Sequence, residues 1–404
     1  MTYRRAAIPA LTGALLLTAL LWWAGASASA LHLQGATDTL GGRTVADLQY
    51  WLSPWSYDPP GSGVPGGADV ARYRTLYRTG MQIRFAAVFV LFVPGALLLV
   101  RRLPPVKGRM PVAMSAVWAW GMAAGALAST VSAPWLIASH GRGSYRILPQ
   151  LAGMASSGQQ ITVIASFVTA VATVLVARIA TEGSAAPGPA AVSPRAARLA
   201  ATAGTALVAL SLVVLSYESV AASIQSVSVS GGLLAEPGDL LRAWLLLGGW
   251  SAPPSGAVGG SVGSWALYRL ADVLLLVVVW WALRLLPALL TRATVPAMAV
   301  GGFCATVIGL LVSQLFQCAV IGADTGGRWA WQYLNGALGG HVPAALTWGL
   351  LAGLTTVTVL RLAGGRPEAA GTVPSAPPAP SAPPVPPTPA VPPTPADGPD
   401  RPVG

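Results

Sequence analysis

The sequence predicts an all-α membrane protein: eight transmembrane helices as two tandem parallel four-helix repeats, with short interfacial helices in the outer loops. Three observations predict it. Hydrophobic residues make up 54% of the 404 and charged residues only 9%, against about a quarter charged in soluble domains. Eight apolar stretches are each long enough to cross a hydrocarbon core, which takes about 20 residues. A series of short segments in the first half recurs, in the same order, in the second.

The composition excludes several classes. The apolar content, with a mean hydropathy of +0.62, excludes disorder as the main theme, and two cysteines in this length exclude a small disulfide scaffold. The 23 arginines against one lysine, Lys107, together with abundant Ala, Gly and Pro, indicate a GC-rich bacterial genome. A net charge of +11 raises nucleic-acid binding, but no basic run sits on a soluble domain able to use it. No nucleic-acid partner is expected. The cations flank apolar segments and act as topology signals.

The spans are expected at about 6–30, 82–100, 111–138, 161–179, 199–217, 266–286, 295–322 and 342–362. Backbone groups in lipid must satisfy one another, so each span is a helix. The first has a rival reading. Arg4-Arg5, an apolar run and Ala26-Ser27-Ala28-Ser29-Ala30 resemble a secretory signal with its cleavage site. Its run of about 19 apolar residues exceeds the 7–15 of such signals, so retention is expected.

Orientation follows from the cations beside the span ends. With the N-terminus in the cytoplasm, the inner segments hold 14 cations against four acids, and the outer ones 10 against nine. Both termini are therefore expected in the cytoplasm of a bacterium, and the chain in its plasma membrane. Its primary partner is the lipid bilayer.

Five anchors carry the repeat. Trp51-Leu52 is echoed by Trp244-Leu245, Pro59 to Gly67 by Pro253 to Gly260, and Leu76-Tyr77-Arg78 by Leu267-Tyr268-Arg269. Arg102-Leu103-Pro104 answers Arg284-Leu285-Leu286-Pro287, and Val176 to Ala180 answers Val359 to Ala363. Units of four spans result, 1–183 and 194–365, joined by a cytoplasmic linker at 184–193. An even number of spans returns the chain to its starting side, so the units are parallel, related by an axis along the membrane normal.

In the outer loops, 47–52 and 237–245 read as short amphipathic helices, the second with an acidic start. The stretch Trp329 to Leu334 looks interfacial too. Most of the 15 tryptophans lie in these loops or in outer halves of spans; Trp118, Trp120, Trp280 and Trp281 are the exceptions. Residues 366–404 are a Pro-rich, disordered cytoplasmic tail, with PxxP spacings from Pro374 to Pro395 that suit a cytoplasmic partner.

Charges inside a bilayer are costly and usually functional. Asp272 lies about 18 Å along its helix from Arg284, and Arg269, three residues earlier, shares its face. The pair either orients the span or forms a ligand or proton site. Arg84, about 25 Å from Arg101, is expected to snorkel to the outer headgroups, and Glu218 is placed similarly. Gln314 and Gln317, with Ser313, form a polar stripe in the seventh span, matched by Ser129, Thr130 and Ser132 in the third. Such groups bond between helices or line a path. Gly121-x-x-x-Gly125 and Gly349-x-x-x-Gly353 predict close helix packing.

No enzyme chemistry is expected. His32, His140 and His341 lack ligand-like spacing and an acidic or thiol cluster, and no metal or other cofactor is expected. Cys304 and Cys318 lie about 21 Å apart on one helix, too far for a disulfide. Gly259-Gly260-Ser261-Val262-Gly263 matches a hydrolase string only by letter, without the strand that motif requires. Two functions from different classes remain. One is an interaction or scaffold factor of the cell envelope or division machinery, binding other envelope membrane proteins. The other is a transporter or permease for an amphipathic or lipid-like substrate, with Asp272, Arg84, Gln314 and Gln317 along its path.

Overall fold

The structure is a computed structural model that describes residues 3–27, 51, 68–105, 108–139, 158–181, 193–216, 223, 262–291, 293–325 and 328–364. Among these the chain is all-helical, with no strand. Eight helices follow in order: α1 (Tyr3–Ser27), α2 (Ala68–Arg102), α3 (Met110–Ser139), α4 (Gln159–Thr181), α5 (Pro194–Ser216), α6 (Val262–Leu289), α7 (Val295–Thr325) and α8 (Arg328–Gly364). All eight contain a segment long and apolar enough to cross a membrane, consistent with a multi-pass membrane protein. Prolines inside α1, α2, α3, α6 and α8 are tolerated where neighbouring helices re-satisfy the freed backbone.

Most expected spans match their helices within a few residues. Two helices run much further. α2 starts at Ala68 rather than near 82, and α8 at Arg328 rather than near 342. Hydropathy stops where Arg72, Arg74 and Arg78 begin, but backbone hydrogen bonding continues past the apolar stretch. Trp329 to Leu334 therefore forms the first turns of α8 instead of a separate element. The segments 47–50, 52 and 237–245, the linker at 184–192, Glu218 and the tail lie outside the described residues.

Each run of four helices closes a ring. α1 packs on α2 and α4, α2 on α3, and α3 on α4; α5 likewise packs on α6 and α8, α6 on α7, and α7 on α8. The rings meet through α3 and α4 against α7 and α8. α3 and α7 are accordingly the most buried spans. Cys304 Sγ donates to Ala116 O at 3.5 Å between them.

Small residues set the helix spacing. A Cβ on Gly121 or Gly125 of α3 would run into Ser166 or Thr162 of α4. On Gly349 or Gly353 of α8 it would run into the α7 backbone at Phe303 or Met298. Both glycine pairs are spent on contacts inside the bundle, as the spacing predicted. Gly13 of α1 lies against Thr173 of α4 and Phe92 of α2; Gly204 of α5 lies against Thr356 of α8 and Leu283 of α6. Trp118 and Trp120 are not belt residues: Trp118 Nε1 donates to Val163 O (2.9 Å), and Trp120 Nε1 to Leu91 O and Phe92 O (3.2 Å each). At the opposite end from Arg84, the α2–α3 turn bonds the α6–α7 turn. Thr291 N donates to Arg102 O (3.0 Å) and Arg109 Nη1 to Leu289 O (3.2 Å).

Candidate functional site

The candidate polar residues divide into two clusters. Arg84 belongs to the α2–α3 pair. Tyr77, Met81, Arg84, Val88 and Phe92 are all buried, at spacings of three and four that put them on one inward face. Arg84 is 1% exposed. Its Nε donates to Ser132 Oγ (2.9 Å), and Ser132 Oγ donates onward to Ser129 O (3.1 Å).

The guanidinium also lies over the indole of Trp51, 5.4 Å from the ring centroid. Trp51 comes from the segment between α1 and α2, yet it is fully buried. Its Nε1 donates to Gly158 O at 2.9 Å, and its ring tilts against Phe85 at 6.0 Å. Gly158 precedes α4 with φ near +70°, a left-handed conformation that a side chain disfavours. The same carbonyl accepts from Thr162 Oγ1 at 3.1 Å.

Arg84 therefore does not snorkel. Helix rotation points it inward, and Ser132 and Trp51 supply a local alternative to headgroup water. A desolvated guanidinium over an indole face is a favourable contact. This arrangement ties α2, α3, Trp51 and Gly158 at the start of α4 together.

The second cluster lies on α6 and α7. Arg269 Nη1 and Asp272 Oδ2 are 3.0 Å apart, with the side chains 41% and 8% exposed respectively. The expected i,i+3 pair thus forms, with its acid turned inward. Asp272, Leu275, Val279 and Leu283 make the buried stripe of α6. Gly309 sits against Leu275 and Val279, and Gly301 against Leu286. This antiparallel register brings Asp272 to the level of Ser313, Gln314 and Gln317, all three buried. Gln314 Oε1 finds no donor among the described residues. Asp272 and Arg84 share no described contact, so the five candidates do not converge on one centre.

Sequence reasoning placed Trp51 only in a repeat anchor and the 47–52 segment, and missed Gly158 and the buried polar column of α4. That column holds Gln159, Thr162, Ser166, Thr169 and Thr173, all buried. Its spacing of three, four, three and four was the available signal. The Gly121, Gly125 and Gly13 contacts leave no room along it, so the hydroxyls serve close packing. Cys304 and Cys318 are free and buried. His341 is buried near the start of the apolar part of α8, while His32 and His140 fall outside the described residues. Among the described residues no group of three His, Cys, Asp or Glu could hold a metal. Compared with family models, curated proteins and solved structures, the chain matches none.

Proposed function

We propose that this chain is a non-enzymatic interaction factor of a bacterial plasma membrane, a scaffold for envelope or division machinery with both termini in the cytoplasm. The observation that carries this reading is Trp51 seated on Arg84. Among the described residues of the first half, the deeply buried cation Arg84 is engaged in holding Trp51 in the bundle. Trp51 fixes one point of the segment between α1 and α2, and such anchoring lowers the ordering cost of binding a partner. The test is a photo-cross-linking residue at Tyr50 in intact cells. The expected result is a reproducible adduct with another envelope protein that disappears with Trp51→Ala. No protein adduct, or an unchanged adduct in Trp51→Ala, overturns the reading.

The same proposal includes an ancestral duplication into units 1–183 and 194–365. Its support is recurrent packing. The contact of Gly13 with Thr173 and Phe92 reappears 191, 183 and 191 residues on, as Gly204 with Thr356 and Leu283. Gly95 under Trp120 reappears with sizes exchanged, as Leu286 over Gly301. Gly125 against Thr162 becomes Thr306, whose Oγ1 reaches Ala345 O at 3.2 Å. The Leu76-Tyr77-Arg78 and Val176 to Ala180 anchors share these offsets. The Arg102/Arg284 anchor does not: Arg102 ends α2, whereas Arg284 lies five residues before the end of α6.

A transporter is the second reading, favoured by buried Asp272 and by Gln314 Oε1 without a donor at the same level. Flux that falls in both Asp272→Asn and Gln317→Ala would support it over the scaffold.

A further inference from the structure

The two rings are joined at one end of the bundle and part toward the other. Three hydrogen bonds connect them on the side of the α2–α3 and α6–α7 turns. Thr291 N donates to Arg102 O (3.0 Å), Arg109 Nη1 to Leu289 O (3.2 Å) and Cys304 Sγ to Ala116 O (3.5 Å). Both α3 and α7 leave from these paired turns, so they run in the same direction, side by side. One face of each helix can therefore be followed from the joined end to the Arg84 end.

On α3 the line through Ala116 passes Ala123 and Leu127 and reaches Pro134, about five turns or 27 Å further on. Ala116 and Ala123 are buried and Leu127 is half-buried, but Pro134 is exposed and is flanked by exposed Val131 and Ala138. On α7 the line through Cys304 passes Ile308 and Leu311 and reaches Leu315, about three turns on. Cys304 is buried, Ile308 and Leu311 are half-buried, and Leu315 is 47% exposed. Helices in contact along their whole length would bury both lines throughout. Cover is lost on both toward the same end, so the halves diverge there.

The uncovered side chains are as apolar as the covered ones. Lipid tails are equally apolar, so such faces gain little by meeting each other rather than lipid. Parted and closed arrangements then differ by little free energy, and a gap of that kind leaves both populated. Pro134 also supplies a joint: it has no N–H for Thr130 O, and a missing i→i−4 bond loosens a helix at that turn.

We propose that the paired turns are a pivot about which the two rings rock. In a second state, Val131 and Pro134 of α3 close on Leu315 of α7, continuing the interface that Ala116 and Cys304 begin. The facing half is the partner these uncovered faces fit, because they extend lines along which the same two helices already meet. The device rests on neither the scaffold nor the transporter reading, since it changes the shape of the Arg84 end whatever that end contacts.

The test uses the full chain in lipid nanodiscs, with Cys304→Ser and Cys318→Ala as background and distances between paired spin labels measured by pulsed dipolar spectroscopy. Ala138→Cys/Ala319→Cys reports the Arg84 end, and Pro111→Cys/Pro296→Cys, in the first turns of α3 and α7, reports the pivot; all four positions are exposed. Two distance populations are expected at the Arg84 end and one narrow population at the pivot. Val131→Trp obstructs closure and should remove the shorter population, whereas Ile164→Trp, on an exposed face of α4, should leave both. Arg109→Gln with Thr291→Pro takes away two pivot bonds and should broaden the pivot distribution. Should these variants fail to fold, the two label pairs in the parent decide alone. A single narrow population at the Arg84 end, a pivot as broad as that end, a shorter population persisting in Val131→Trp, or an unbroadened pivot in the double variant overturns the proposal.

Discussion

The two halves handle polarity at the same level of the bundle in opposite ways. In α2, Arg84 is sealed inside and shared between Ser132 and Trp51. In α6, the register that equates Gly204 with Gly13 puts Leu275 where Arg84 stands and Asp272 where Met81 stands. The acid is then buried but leans on Arg269, itself 41% exposed. The first arrangement fastens helices and a loop residue through partners far apart in the chain. The second is a local pair three residues apart. Among the described residues, Arg84 thus reaches partners far along the chain, whereas Arg269 pairs within its own helix.

Four substitutions sharpen or break that comparison. Trp51→Ala removes a fully buried indole, its bond to Gly158 O and the platform under Arg84, and should cost about 3 kcal/mol by thermal or denaturant unfolding in detergent. A cost below about 1 kcal/mol would mean that the indole contributes no more than one hydrogen bond. Gly125→Thr should cost about 2 kcal/mol by overpacking against Thr162, and adding Thr162→Ala should recover most of it. That double variant recreates the Thr306 and Ala345 pairing of the second half, so failure of the rescue would separate the two halves' packing.

Gly158→Ala, at φ +70°, should cost between about 1 and 2 kcal/mol and weaken Trp51 seating, read as increased exposure of Trp51 in a variant with the other loop tryptophans replaced. Asp272→Asn should cost the least, below about 1 kcal/mol, because a half-exposed partner contributes little. A loss as large as that of Trp51→Ala would erase the contrast and give Asp272 a structural role equal to that of Arg84.

Much of the fold was legible in the chain because lipid imposes a simple requirement: about 20 apolar residues per crossing with every backbone group bonded internally. That rule needs no knowledge of neighbours, and the eight spans follow from it. The glycine pairs were legible for the same reason, since close packing in lipid favours small residues at fixed spacing. The i,i+3 pair of Arg269 and Asp272 was legible because helix geometry alone brings it together.

The fate of Arg84 was not. Distance along one helix is compatible with snorkelling or with burial, and the choice depends on what the facing helices and loops offer. Ser132 is 48 residues away, and the Gly158 carbonyl that holds Trp51 is 107 residues from it. Helix rotation and register relative to distant neighbours decide such contacts. Local periodicity determines which face turns inward; tertiary packing determines which group waits there, because a buried charge is stable only where a partner from elsewhere in the chain arrives to meet it.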